Sequence, residues 1–188
     1  MAFLDSLAGS VLPHPSSWRL ANVGSASGSV GLAKFVYIAA TGGTFYMALG
    51  AGSHKLPYTY GGVGAGGGVG LSVLGPLAGS FSAASFPSTG GEWGRLYLAP
   101  SLWGVGELDR DTILGPAFLI NISASLIAGG SISIVFFGAT NMVDAVTPFA
   151  LLNRAKAVAF QAGLEVTTTY GAGVTGYNLM IFNRGKMT

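Results

Sequence analysis

Polar and apolar residues alternate along much of this chain, with the period of a β-strand rather than of a helix. Phe118, Ile120, Ile122, Ala124 and Leu126 share one face, and Asn121, Ser123 and Ser125 share the other. After Gly129 and Gly130 the alternation resumes as Ser131, Ile132, Ser133, Ile134 and, in phase, Phe136. Period two with a Gly-Gly interruption predicts a β-hairpin. The stretch 118–137 matches a membrane-spanning helix in length, about 20 residues. Its serines and asparagine alternate, however, instead of gathering on one helical face. A second alternating run over 29–40 puts Val30, Leu32, Val36 and Ile38 together, followed by a turn expected at Thr41–Thr44 and a return strand over 45–49. A last strand pair is expected over 165–170 and 177–182.

The segment 58–74 has a stronger pattern. Every even position from Gly62 to Gly70 is glycine, while Val63, Ala65, Val69, Leu71 and Val73 take odd positions. As a strand it has one apolar face and one bare face, which another backbone can approach closely. Gly62, Gly66 and Gly70 are also four apart, the spacing of a GxxxGxxxG zipper on a helix. One segment departs from the strand period. Residues 147–162 are rich in good helix formers, with Thr147 and Pro148 as cap and first turn and Gly163 as stop. Phe149, Leu152, Ala155, Val158 and Ala159 would form its apolar stripe. A short N-terminal helix is expected over 2–12. The expected fold is a β-rich α+β domain over 1–188. It is a Gly-rich antiparallel meander, sandwich or barrel-like, with one helix near 147–162.

Composition changes this picture by removing the ordinary surface. The 188 residues include 31 glycines, and charged residues make up 9%, where soluble domains have about a quarter. Mean hydropathy is +0.57. So little charge cannot cover a normal water-facing monomer, and some apolar area must face lipid, a partner or a carrier. No charge lies between Lys55 and Glu92 or between Asp111 and Asp144. The charges collect in knots at 92–95, 107–111 and 154–156. A net charge of +2 without a basic stripe excludes nucleic acid as the natural partner. The chain has no cysteine, which excludes disulfides and thiolate metal sites. The start, Met1–Asp5, lacks the basic n-region of a secretory signal. The chain is therefore expected to be made in the cytoplasm and exported by a route without a cleaved signal.

Catalytic chemistry has few candidates. His14 and His54 sit in Pro- or Gly-flanked segments with no third ligand nearby. Glu107, Asp109 and Asp111 alternate beside Arg110 as an acid pair, a cation cluster or, more simply, a charged turn. No catalytic residue, metal or cofactor is expected, and the chain is expected not to be an enzyme. Trp18, Trp93, Trp103, Tyr58 and Tyr97 fit an interfacial aromatic belt or a β core equally well.

On these residues, above all the glycine run from Gly62 to Gly79, the chain resembles the small glycine-zipper, pore-forming effectors of type VI secretion, of the kind that Pseudomonas loads into the Hcp ring. That resemblance implies export inside an Hcp-like carrier, insertion into a target cell membrane, leakage of small ions and neutralisation by an immunity protein. Gly62, Gly66 and Gly70 would then be close-packing positions, and Phe118, Ile120, Ile122, Ile132, Ile134 and Phe136 membrane contacts, in a monomer or homo-oligomer. Two other readings make different demands. A self-assembling β subunit would bury the same apolar faces against copies of itself. A hydrolase would depend on Glu107, Asp109 or His54.

Overall fold

The structure, a computed structural model, describes residues 10, 12, 14–33, 36–49, 55–72, 80–82, 94–104, 106–139 and 148–183. Seven strands form one antiparallel sheet: β1 (Pro15–Ala33), β2 (Val36–Leu49), β3 (Lys55–Ser72), β4 (Ser80–Ser82), β5 (Gly94–Leu98), β6 (Gly115–Phe137) and β7 (Ala157–Asn183). An α-helix, α1 (Pro148–Arg154), precedes β7.

The pairing register makes the sheet a closed barrel. β1 pairs with β2, β2 with β3, β3 with β7, and β7 with β4 and β5, which return to β1. A ring of antiparallel neighbours must contain an even number of staves, and those pairings alone make five. The parity is restored because β6 and β7 each double back. Asn183 of β7 pairs with Tyr58 and Ala159 pairs with Leu96, both at the end of the barrel that holds Leu20. Thr169 pairs with Ser72 and Thr167 with Ser82 at the opposite end. β7 therefore runs up as 157–167 and down as 169–183. β6 lies along it throughout, with a register shift between Leu126 and Ala128. The two halves of β6 meet each other: Gly138 N donates to Pro116 O at 2.8 Å and Ser133 Oγ to Asn121 Oδ1 at 3.1 Å. The result is an eight-strand closed antiparallel barrel. The β6 hairpin is nested inside the wider reversal of β7. That outer turn must cross three strand spacings, about 14 Å, a span that residues 166–170 cover at about 3.3 Å each.

This closed barrel corrects the expectation of an α+β meander with a helix over 147–162. The helix stops at Arg154 and residues 157–162 belong to β7. Local helix propensity loses to burial here. Ala157, Ala159 and Gln161 alternate into the barrel while Val158 packs outside beneath α1. Small inward side chains suit this stave, because Phe137 and Leu96 already occupy the space opposite. The expected turn at Thr41–Thr44 is interior to β2, and the first hairpin closes between Ala33 and Val36 instead. The hairpin within 118–137 is present, reversing at 126–128 rather than at Gly129–Gly130. The N-terminal helix expected over 2–12 lies almost wholly outside the described residues.

Two apolar clusters hold the barrel. Inside, Leu20, Phe45, Met47, Tyr58, Tyr60, Leu119, Phe137 and their neighbours fill one end. Phe45 stacks on Tyr58 with centroids 5.4 Å apart and lies 6.4 Å from Phe137. Outside, Leu12 and Leu151 cover Tyr97, Phe118, Phe136 and Val158. The bare face of β3 points inward and lies against β7. A Cβ on Gly64 would meet the backbone carbonyl of Gly176 and come within 2.8 Å of Tyr177 Cδ1. At Gly61, on the outer face, it would meet nothing within 4 Å. Gly64→Ala should therefore destabilise the barrel by about 3 kcal/mol or more, as overpacking against fixed backbone does. Gly61→Ala should stay within about 0.5 kcal/mol of wild type. Denaturant midpoints of the two variants measure this contrast.

Candidate functional site

Above the aromatic layer the barrel interior changes character. Thr41, Asn121, Ser131, Ser133, Gln161 and Thr175 are all buried and all on inward positions. They are brought together by register alone: Thr41 stands opposite Gly62, Thr175 opposite both Gly66 and Asn121, and Ser133 opposite Gln161. Gly62, Gly64, Gly66 and Gly68 supply the neighbouring wall without side chains. Ser133 Oγ donates to Asn121 Oδ1, whereas Ser131 Oγ is buried without a hydrogen-bond partner. A buried hydroxyl in an otherwise dry core costs free energy unless something polar meets it. With its five polar neighbours it makes this half of the interior polar.

The outer face inverts this pattern. Val63 is 64% exposed, Val174 50%, Ile38 49% and Ile122 45%. Ile132 and Val36 are open as well. An apolar exterior around a polar interior is the reverse of the pattern in a water-borne barrel. Among the described residues no helix is long and apolar enough to cross a membrane.

The charged end is closed by a strap, residues 106–114, that leads into β6. Leu108 and Ile113 are buried in the interior cluster. Trp18 Nε1 donates to Leu108 O at 2.7 Å, and Tyr58 OH to Arg110 O at 2.9 Å. Glu107 fastens the strap to β1 by accepting from Ser16 Oγ at 2.6 Å, Ser17 N at 2.9 Å and, locally, Leu108 N at 2.9 Å. Burial pushes the Glu107 carboxyl up, but the Ser16, Leu108 and Ser17 hydrogen bonds outweigh it and hold the carboxyl below its usual range. Its oxygens are thus engaged in holding the strap. Asp111 lies 3.8 Å from Arg110 in an exposed pair. Among the described residues no group of acids and histidines is arranged to hold a metal ion.

The sequence candidates fall in several places. Gly62, Gly66 and Gly70 lie on one strand, β3, so their alignment has the strand period and not that of a helical zipper. A Cβ at Gly62 would meet Asn178 O and lie 2.7 Å from Leu179 Cδ2. Of the proposed outer contacts, Ile122 and Ile132 are exposed, Ile120 and Ile134 partly buried, and Phe118 and Phe136 buried under α1 and Leu12. Tyr58 and Tyr97 are core residues, Trp18 is partly buried and Trp103 is 42% exposed beside His14. His54, Trp93 and Glu92 lie outside the described residues. Thr41, Gln161 and Thr175 escape sequence reasoning, because only the register of three distant strands shows that they share the polar interior with Asn121.

Comparison with known proteins finds one toxin. The chain is 28% identical to the toxin protein Tse4 of Pseudomonas aeruginosa over 182 aligned residues, 77% of this chain and 91% of the relative. No family model matches, and no solved structure matches. The match corrects one expectation. A toxin can act by an enzymatic activity, so the likeness does not support setting this chain apart from enzymes.

The strap generates a pH prediction. Glu107 is depressed in the folded state, so its contribution is present above the unfolded pKa and is lost as pH falls through the lower folded value. Below about pH 4.5 the strap should loosen from β1, read as a change in Trp18 fluorescence. Glu107→Gln should weaken the strap at neutral pH and remove most of that acid transition. An unchanged transition in the variant would mean that another carboxyl controls it.

Proposed function

We propose that this chain is an antibacterial toxin that acts on a target cell membrane, with its charge-poor barrel half crossing the bilayer and small ions passing along the polar lumen. The observation that carries this reading is the inverted barrel: Val36, Ile38, Val63, Ile122, Ile132 and Val174 outside, with Thr41, Asn121, Ser131, Ser133, Gln161 and Thr175 inside. Strands suit the task, since about 9–11 residues of tilted strand span a bilayer and a closed barrel leaves no backbone group unpaired in hydrocarbon. An eight-strand barrel with ordinary side chains is filled. Here the inward positions of β3 are glycine and their neighbours carry short or polar side chains, so no aromatic layer fills this half.

In the closed form the aromatic layer and the strap block the charged end. Conduction on this reading requires the strap to leave the mouth and the aromatic layer behind it to rearrange. The likeness to Tse4 supports the toxin class. The resemblance to type VI effectors supports delivery by that secretion system, a shielding Hcp-like carrier and a matching immunity protein in the producing cell. Ile122 and Ile132 are lipid contacts in this scheme, and the β3 glycines are close-packing positions.

The exposed apolar band also favours a second reading, burial against copies of the same chain in a large assembly. One substitution separates the two. Val63→Lys sits on the outer face in open space. It should leave the fold in water intact and cut dye release from liposomes at least 30-fold, from a cost of about 2–4 kcal/mol for a lysine at bilayer mid-depth. Wild-type protein that releases no dye, and whose large particles dissociate with Val63→Lys, would replace the pore by the assembly.

A further inference from the structure

The outer face carries a row of basic side chains at one level of the barrel. Arg95 of β5 stands opposite Arg19 of β1, Arg19 opposite Ala48 of β2, and Ala48 opposite Lys55 of β3. Their chain neighbours Leu96, Leu20, Met47 and Leu56 are buried in the interior cluster, so the row lies on the outer face, where Lys55 is exposed, Arg19 and Arg95 are partly exposed and Ala48, between Arg19 and Lys55, is buried. Strands are about 4.8 Å apart, which places the two arginines side by side and Lys55 about 10 Å further round. Like charges directly opposite on an antiparallel ladder repel and destabilise it. Among the described residues no acid forms an ion pair with Arg19 or Arg95.

The position of the row supplies its partner. Further along β2 and β3, on the same outer face, come Tyr46, then Thr44 and Thr59, and then the exposed apolar positions Val63, Ile38 and Val36. The described charges outside the strands, Glu107 to Asp111 and Arg154 to Lys156, lie at the basic end. Basic groups at the rim of an apolar belt meet the phosphate layer when that belt lies in hydrocarbon, with their methylene stems against the apolar surface. Arginine adds two-pronged hydrogen bonding to phosphate oxygens. We propose that Arg19, Arg95 and Lys55 form a rim that binds the phosphates of anionic phospholipids and sets the depth and direction of the barrel in the bilayer. This rests on the membrane reading above.

The test separates binding from leakage. Full-length protein is mixed with vesicles of phosphatidylcholine, with or without one quarter phosphatidylglycerol, and partitioning and dye release are measured separately. Wild type should partition more strongly onto the anionic vesicles. Arg19→Gln with Arg95→Gln should lose about 30-fold on them, from about 1 kcal/mol per basic side chain near such a surface, and should lose little on neutral vesicles. Arg19→Lys with Arg95→Lys should keep most of the preference, and circular dichroism with a thermal melt verifies that both variants fold. Equal wild-type partitioning on the two vesicles, or a glutamine variant that binds as tightly as wild type, would overturn the proposal. Displacement by inorganic phosphate at matched ionic strength would overturn it too, by assigning the row to the free anion. Equal leakage from both vesicles without any role for the arginines leaves the pore standing and removes the rim. Row-dependent binding with no leakage supports the rim and removes the pore.

Discussion

The circumference of an eight-strand barrel admits about one layer of large side chains at each level, and the rest of this structure follows from how that space is used. At the charged end Phe45, Met47, Tyr58, Tyr60, Leu119 and Phe137 use all of it. They make the level at which the barrel behaves as an ordinary hydrophobic core. One or two levels further along β3 the inward positions become glycine, and facing them are threonine, serine, asparagine and glutamine. The stabilising burial is therefore concentrated in half of the molecule. In the other half the backbone ladder carries the structure, and the bare face of β3 lets β7 come as near as two main chains can.

This division explains the remaining features. The strap at 106–114 caps the packed half and is tied down by Glu107, Trp18 and Tyr58, whose partners lie on β1 and on the strap backbone. Helix α1 is short because its work is local: Leu151 and Ala155 cover Phe118, Phe136 and Val158 on the outside of the same half. The half beyond has neither strap nor helix among the described residues, and its outer aliphatic side chains are exposed. A contiguous exposed apolar surface of this kind is the usual mark of an interaction site.

Asn121, Ser133 and Thr175 would be poor choices for a core and are reasonable ones for a surface that contacts water or ions. Their burial in the barrel interior, beside the unpartnered Ser131 hydroxyl, gives this half a polar interior where the other half has an aromatic one. The Arg19–Arg95 pair has the same logic on the outside. Within the described protein its two charges oppose each other, and an external anion resolves the conflict.

Much of this is legible in the order of residues along the chain. The period-two alternation in 118–137 and the glycine parity that begins at 58 depend only on side chains pointing to opposite faces of a strand, and β6 and β3, the latter as far as Ser72, form as strands. The scarcity of charge is enough to require that some apolar surface lacks water as its partner. The pairing of strands is not legible, because hydrogen bonds between backbones carry no sequence label. Register alone brings Thr41, Gln161 and Thr175 to Asn121 and sets Arg95 beside Arg19. The segment 157–162 shows the same limit from the other side. Its alanines favour a helix locally, and they form a stave because the barrel needs small side chains opposite Phe137 and Leu96. Local propensity amounts to a few tenths of a kcal/mol per residue, and the burial of one stave in a closed sheet outweighs it.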